Sequence, residues 1–179
     1  MIAVSWEIAI TQSNKWKDSG KTIVFTNGCY DLIHAGHIDL LANAKNKGDK
    51  LIVGLNSDRS VKRLKGHNRP IQTFDDRLII LDAIKSVDMI VGFDEDTPEK
   101  LINKILPHVL VKGGDYSIDK VVGADTVISH GGRVEIIDLI EGKSTSSILD
   151  QLLKLKKIQN LVSWILKILV LWILSTVRC

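Results

Sequence analysis

The stretch "KTIVFTNGCYDLIHAGHIDLLANAKNKG", residues 21–48, decides the fold. Its opening, "KTIVFTNG" (21–28), is a β-branched run ending at a glycine and reads as a strand. "HIDLLANAKNKG" (37–48) sets Ile38, Leu40, Leu41 and Ala44 at helical spacing and stops at Gly48, a natural C-terminal cap. Between the two lies a short polar loop carrying His34 and His37 on either side of Gly36.

The alternation continues outward. "KLIVGLNSD" (50–58) is a second strand, "DMIVGF" (88–93) a third, "HVLVKGGDY" (108–116) a fourth and "RVEIIDL" (133–139) a fifth. "TFDDRLIILDAIKSV" (73–87) reads as a helix with acids in its first turn, where the dipole favours them. "TPEKLINKIL" (97–106) is a helix opened by a Thr-Pro pair, "VVGADTVISHGG" (121–132) a short one, and "STSSILDQLLKLKK" (144–157) the last. Runs such as "LIVGL" and "HVLV" are apolar on consecutive residues, which suits strands covered on both faces. The expected fold is therefore α/β: a Rossmann-like, doubly wound, five-stranded parallel sheet over residues 21–158. Residues 1–20 form a helical extension whose Trp16 packs on the domain, and 159–179 an apolar C-terminal helix. Ligands of such sheets sit beyond the strands' carboxyl ends, where "TNGCYD", "NSD" and "KGGDY" gather polar and glycine residues.

A chain of 179 residues has room for one well-buried domain. Lys+Arg 24 against Asp+Glu 21 leaves a net charge of only +3, and the basic residues are spread, so nucleic-acid binding is not expected. Cys29 and Cys179 make no metal-type spacing, and Glu7 interrupts the short apolar start, so a reducing cytoplasm is the expected compartment.

The two histidines admit three readings: metal ligands, hydrogen-bonded core residues, or donors to a phosphate. A zinc site wants three or four ligands, and Asp31 and Cys29 nearby complete no recognised spacing. Placed past a strand end and at a helix start, the pair sits where free N–H groups and the helix dipole attract anions. Neither a G-x-x-x-x-G-K-[ST] loop nor a G-x-G-x-x-G loop follows the first strand, which argues against a P-loop NTPase and a dinucleotide oxidoreductase.

"TNGCYDLIHAGH" resembles the first signature of the H-x-G-H nucleotidyltransferases, and "STSS" (144–147) before the last helix resembles their second. "NSDRSVKRLKGHNRPI", "VDMIVGFDEDTPEKLINKILPHVLVKGGDY" and "GGRVEIIDLIEGKSTSSIL" narrow the likeness to the adenylyltransferase domains that act on heptose 1-phosphates. The resemblance covers residues 10 to 155 or so and implies a sheet of the nucleotidyltransferase type. It implies AMP transfer from ATP to a heptose 1-phosphate, giving ADP-heptose for the lipopolysaccharide inner core. His34, His37 and Lys65 would be catalytic. Gly28, Cys29, Tyr30, Gly36, Lys112, Gly113, Gly114, Asp115, Ser144, Thr145 and Ser146 would hold the nucleotide. Asp31, Asn56, Asp58 and Arg69 are candidates for the sugar phosphate. A bland reading stands beside several of these: surface lysine for Lys65, plain helix capping for Ser144, a turn for the double glycine.

Mg2+ is expected to arrive with ATP, with no protein metal cage in the sequence. The resemblance also implies a homodimer and a separate heptose kinase acting upstream. Related cytidylyltransferases carry an arginine shortly before the second signature, where Leu139 and Ile140 stand here; the heptose enzymes lack it too. That favours adenylyl transfer over a cytidylyltransferase acting on glycerol 3-phosphate or phosphoethanolamine. A non-catalytic nucleotide-binding module is the remaining alternative.

The apolar stretch 161–177 lies outside the resemblance. As a helix it would run about 25 Å, slightly short of a bilayer core, with Lys167 near its middle at a membrane cost of roughly 3 kcal/mol. It is a dimerisation or docking helix, a membrane contact flanked by "KLKK" (154–157), or a run-on segment.

Overall fold

A computed structural model describes residues 4–114, 117–138, 140 and 142–176, with side chains through residue 159 and for Trp164. The β-branched runs form five strands: β1 (Ile23–Gly28), β2 (Lys50–Asn56), β3 (Met89–Phe93), β4 (Val109–Gly113) and β5 (Arg133–Ile137). Every pairing is parallel, in the order β3-β2-β1-β4-β5. The chain winds one way from β1 to β3 and the other way from β4 to β5. The switch in strand order thus lies between β1 and β4, beyond Gly28 and Gly113, as the expected doubly wound sheet requires.

Consecutive apolar residues on each strand serve opposite layers. Ile23, Phe25, Ile52, Met89, Val91 and Leu110 face one core, which Ala9, Leu101, Ile102 and Val127 complete. Val24, Leu51, Val53, Ile90, Val109 and Val111 face the other, against Leu41, Ala44, Leu78 and Leu81. The first core is covered by α1 (Trp6–Asp18), α5 (Glu99–Ile105) and α6 (Ala124–Ser129), the second by α2 (Ala35–Lys45) and α4 (Phe74–Asp82).

The N-terminal segment is part of this packing. Trp16 lies against the first core, as expected, and Trp6 joins it while donating its indole N–H to the Gly92 carbonyl at 2.8 Å. Val4 pairs with Val91, so the outer edge of β3 is partly covered.

Two local expectations are corrected. Helix α3 (Asp58–Lys65) was not foreseen, because "DRSVKRLK" is short and strongly charged and buries only Ser60 and Val61. Its start is made by Ser57, whose hydroxyl accepts from the Ser60 N–H. Gly48 is not a cap: α2 already ends at Lys45, with Asn46 as its C-cap. A Cβ at Gly48 would lie 2.7 Å from Val24 Cγ2 and 2.9 Å from the Thr22 carbonyl, so glycine there permits close packing against the start of β1. Gly48→Ala is expected to cost about 1–3 kcal/mol, read as a fall of several degrees in Tm.

The chain divides into two compact units, residues 1–141 and 142–179. The second contains α7 (Thr145–Thr176), one continuous helix in which no Gly or Pro interrupts 145–176. Among the described residues no helix is long and apolar enough to cross a membrane.

Candidate functional site

The loop after β1 places the histidines. His34 is the N-cap of α2, in extended conformation and without a side-chain capping bond; its carbonyl accepts from the His37 N–H at 2.9 Å. His37 stands on the helix's third residue, with Gly36 buried between them. Spacing by one helical turn stacks the two rings, their centroids 3.9 Å apart and their planes 28° from parallel. Tyr30 abuts His37, centroid to centroid 5.2 Å.

The stack is held in its neutral form. Burial pulls His34 below the ordinary imidazole value. His37 is pulled down to about 4, first by burial and then by His34, with the Leu32 backbone pushing the other way. His34 Nδ1 is buried without a hydrogen-bond partner. A pair of neutral imidazoles at a helix N-terminus can donate N–H groups to an anion without first repelling each other.

The strand ends supply the charge. Lys112, at the end of β4, reaches across the switch point to the Asn27 side chain of β1, Nζ to Oδ1 3.5 Å. Burial pushes its ammonium down, and the charge of Lys65 adds to that. Lys65 is the exposed last residue of α3. It also acts on Cys29, whose thiol is pushed up by burial against the pull of Lys65, Arg77 and Arg69. Lys112 and Cys29 thus lie at the carboxyl end of β1, with Lys65 near enough to act on both through its charge. Gly113 ends β4 and Gly114 continues it in left-handed conformation, φ 115°, donating its N–H to the Ile137 carbonyl. Asp115 lies outside the described residues.

Cys29 and Tyr30 shape the loop through the backbone. Tyr30 is buried with φ 47°, and its ring fills the space beside Gly28, where a Cβ would come within 3.0 Å. The thiol of Cys29 lies 4.0 Å from Asn56 Oδ1.

The four candidates for the sugar phosphate are engaged within the protein. Asp31 is 2% exposed; Oδ1 accepts from the Ile71 and Gln72 N–H groups at 2.7 and 2.9 Å, and Oδ2 from Arg69 Nε at 2.5 Å. Asn56 is buried and donates to Ser60 Oγ at 2.9 Å. Asp58 accepts from Arg77 Nη2 at 2.8 Å. Ser144, Thr145 and Ser146 belong to the second unit, where Ser144 caps α7 by accepting from the Ser147 N–H at 3.1 Å. Among the described residues no three His, Cys, Asp or Glu side chains group as a metal site.

A buried arginine was not foreseen. Arg77 is fully buried and donates Nη1 to the Cys29 carbonyl at 2.6 Å, in addition to its bond to Asp58. Its position on the same helical stripe as Leu78 and Leu81 was the available signal.

A cytidylyltransferase-like family model matches residues 25–148, which takes in both histidines and the serine-threonine segment. The chain belongs to the cytidylyltransferase-like family. Within it, the chain is 54% identical over 134 residues to the bifunctional protein HldE of Syntrophotalea carbinolica, covering 75% of this chain and 27% of that one. With the bifunctional protein HldE of Mesorhizobium japonicum it shares 53% over 137 residues, 76% of this chain and 28% of the relative. The chain therefore spans little more than a quarter of the length of these curated relatives. The lipopolysaccharide core biosynthesis protein of Thermoplasma volcanium has a similar structure, with TM-score 0.54 and 28% identity over 68% of this chain and 98% of that one. A pantoate–β-alanine ligase of Francisella tularensis, at TM-score 0.53 and 17% identity over 82% and 69%, shares the fold.

Proposed function

We propose that this member of the cytidylyltransferase-like family transfers AMP from ATP to a heptose 1-phosphate, yielding ADP-heptose and pyrophosphate. The observation that carries the proposal is the His34–His37 stack at the start of α2, in the loop after β1, next to the β1/β4 switch where Lys112 reaches Asn27. The high identity to the HldE proteins supports the choice of acceptor.

In this reaction a phosphate oxygen of the sugar attacks the α-phosphorus of ATP. The bond from that phosphorus to the bridging oxygen breaks, and its electron pair leaves with pyrophosphate. Little covalent help is needed; position and charge stabilisation dominate. His34 and His37 donate to the α-phosphate and bridging oxygens, and Lys65 opposes the charge of the triphosphate as a point cation. The backbone at Gly28, Cys29 and Tyr30 lines the nucleotide, with Lys112 and the Gly113–Gly114 turn on its other side. Ser144, Thr145 and Ser146 are phosphate contacts by their resemblance to the family's second signature.

Mg2+ would come as part of the ATP substrate and would offset phosphate charge during the transfer. The protein acts in the cytoplasm as a homodimer, on heptose 1-phosphate made by a sugar kinase. Residues 161–177 are a dimer or docking contact, a membrane contact, or a run-on segment.

Pyrophosphate release, followed with each nucleoside triphosphate against a panel of sugar phosphates, tests the proposal. ATP with a heptose 1-phosphate should be preferred. A preference for CTP with glycerol 3-phosphate or phosphoethanolamine would replace it with the cytidylyl reading. No release with any pair would leave a binding module. Lys65→Ala should lower kcat/KM by about 10²-fold while Tm stays nearly unchanged, since the residue is exposed and its role is charge alone.

A further inference from the structure

Among the described residues Arg77 is the largest side chain with no exposure. A buried guanidinium is costly unless well paired, and a pair of apolar residues in its place is often as stable or more so. Here the pairing is partial. Nη2 meets Asp58, Nη1 meets the Cys29 carbonyl, the ring of Phe74 lies 5.7 Å from the guanidinium carbon, and Nε has no partner. The charge thus bonds α3 through Asp58 and the histidine loop through Cys29, while its own backbone belongs to α4.

The carbonyl contact has a geometric consequence. In a trans peptide the C=O and the following N–H point in opposite directions. Holding the Cys29 oxygen at 2.6 Å turns the Tyr30 N–H away from Arg77. The next residue, Tyr30, sits at φ 47°, a conformation that costs a non-glycine residue on the order of 1–3 kcal/mol and persists only where its surroundings enforce it. Arg77 on one side and the packing of the Tyr30 ring beside Gly28 and His37 on the other supply that enforcement.

We infer that Arg77 is a positioning residue that fixes the plane of the Cys29–Tyr30 peptide, so that the Tyr30 N–H is presented to the nucleotide phosphates in register with the histidines. This rests on the nucleotide reading of the site given above. Arg77 touches no substrate; its effect passes through one peptide group.

The test uses the full chain and direct titration with a non-hydrolysable ATP analogue, so that it does not depend on turnover. Arg77→Lys keeps the charge but cannot reach Cys29 and Asp58 with two nitrogens of one planar group. Its analogue affinity is expected to fall about tenfold, the loss of roughly one hydrogen bond to a charged group. KM for the sugar phosphate should stay within about twofold. Phe74→Leu, which loosens the same packing without touching the Cys29 carbonyl, is the stability control and should keep its analogue affinity. If Arg77→Lys does not fold, Arg77→Gln serves in its place with the same expectation.

Wild-type affinity in the folded Arg77 variant overturns the inference, as does an equal loss in Phe74→Leu at matched Tm. Failure of the unsubstituted protein to bind the analogue would instead overturn the nucleotide reading, so the two failures are told apart.

Discussion

His37→Ala is expected to lower kcat by about 10²–10³-fold. The size follows from the place of the imidazole. It is partly buried at the third position of α2 and stacked on His34 at 3.9 Å, where the proposed reaction would bring a developing charge. A donor held there before the reaction needs no reorganisation when charge moves toward the leaving pyrophosphate. His37→Asn keeps a donor of similar reach and should recover part of the rate; an equal loss in both variants would show that the ring stack, not the N–H, is what matters.

The same residue gives the protein a pH signature with a definite sign. Unfolded, an imidazole titrates near pH 6.5. Folded, His37 is held down to about 4 by burial and by His34. Between those values the unfolded chain binds more protons than the folded one, so stability rises with pH across the window. It is correspondingly lost as pH falls from about 6.5 to about 4. Chemical denaturation at several pH values should show this slope in the unsubstituted protein and a shallower one in His37→Asn. An identical slope in both would place the titration elsewhere.

Asp31→Ala is expected to destabilise the first unit strongly. The carboxylate is 2% exposed and carries three bonds, from Arg69 Nε and from the N–H groups of Ile71 and Gln72. Removing it leaves a largely buried cation and two backbone donors without their acceptor. Breaking a buried pair in this way costs about 3–5 kcal/mol, or roughly 10 °C in Tm for a chain of this size. Arg69→Met in the Asp31→Ala background should recover part of the loss, because the stranded charge goes with it. A drop in Tm of only a degree or two for Asp31→Ala would show that the segment from Arg69 to Gln72 is held by other contacts. Asp31 and Arg69, both candidates for the sugar phosphate, are paired with each other in the folded protein.

Much of this architecture was legible in the residues. Strands buried on both faces are written as unbroken apolar runs, so "LIVGL" and "HVLV" announce a covered parallel sheet without any knowledge of their partners. The histidine loop was legible for a related reason. Its strand-glycine-loop-helix order is local in sequence, and the helix turn that separates His34 from His37 is what stacks them. Helix α3 was not legible because it is short and strongly charged, with only Ser60 and Val61 buried. Gly48 was misassigned because its constraint comes from Thr22 and Val24, on a strand more than twenty residues away.

Periodicity in the chain determined which residues face a core and in what order strands and helices follow, because burial repeats with the geometry of each element. The signature segments determined where chemistry should be sought. Which polar side chains are spent inside the protein was settled only by tertiary structure. Asp31 meets Arg69, Asn56 meets Ser60, and Arg77 meets both Asp58 and the Cys29 carbonyl. Such pairings depend on the relative placement of separate loops and helices. No local pattern encodes the direction a charged side chain takes once its neighbours have packed.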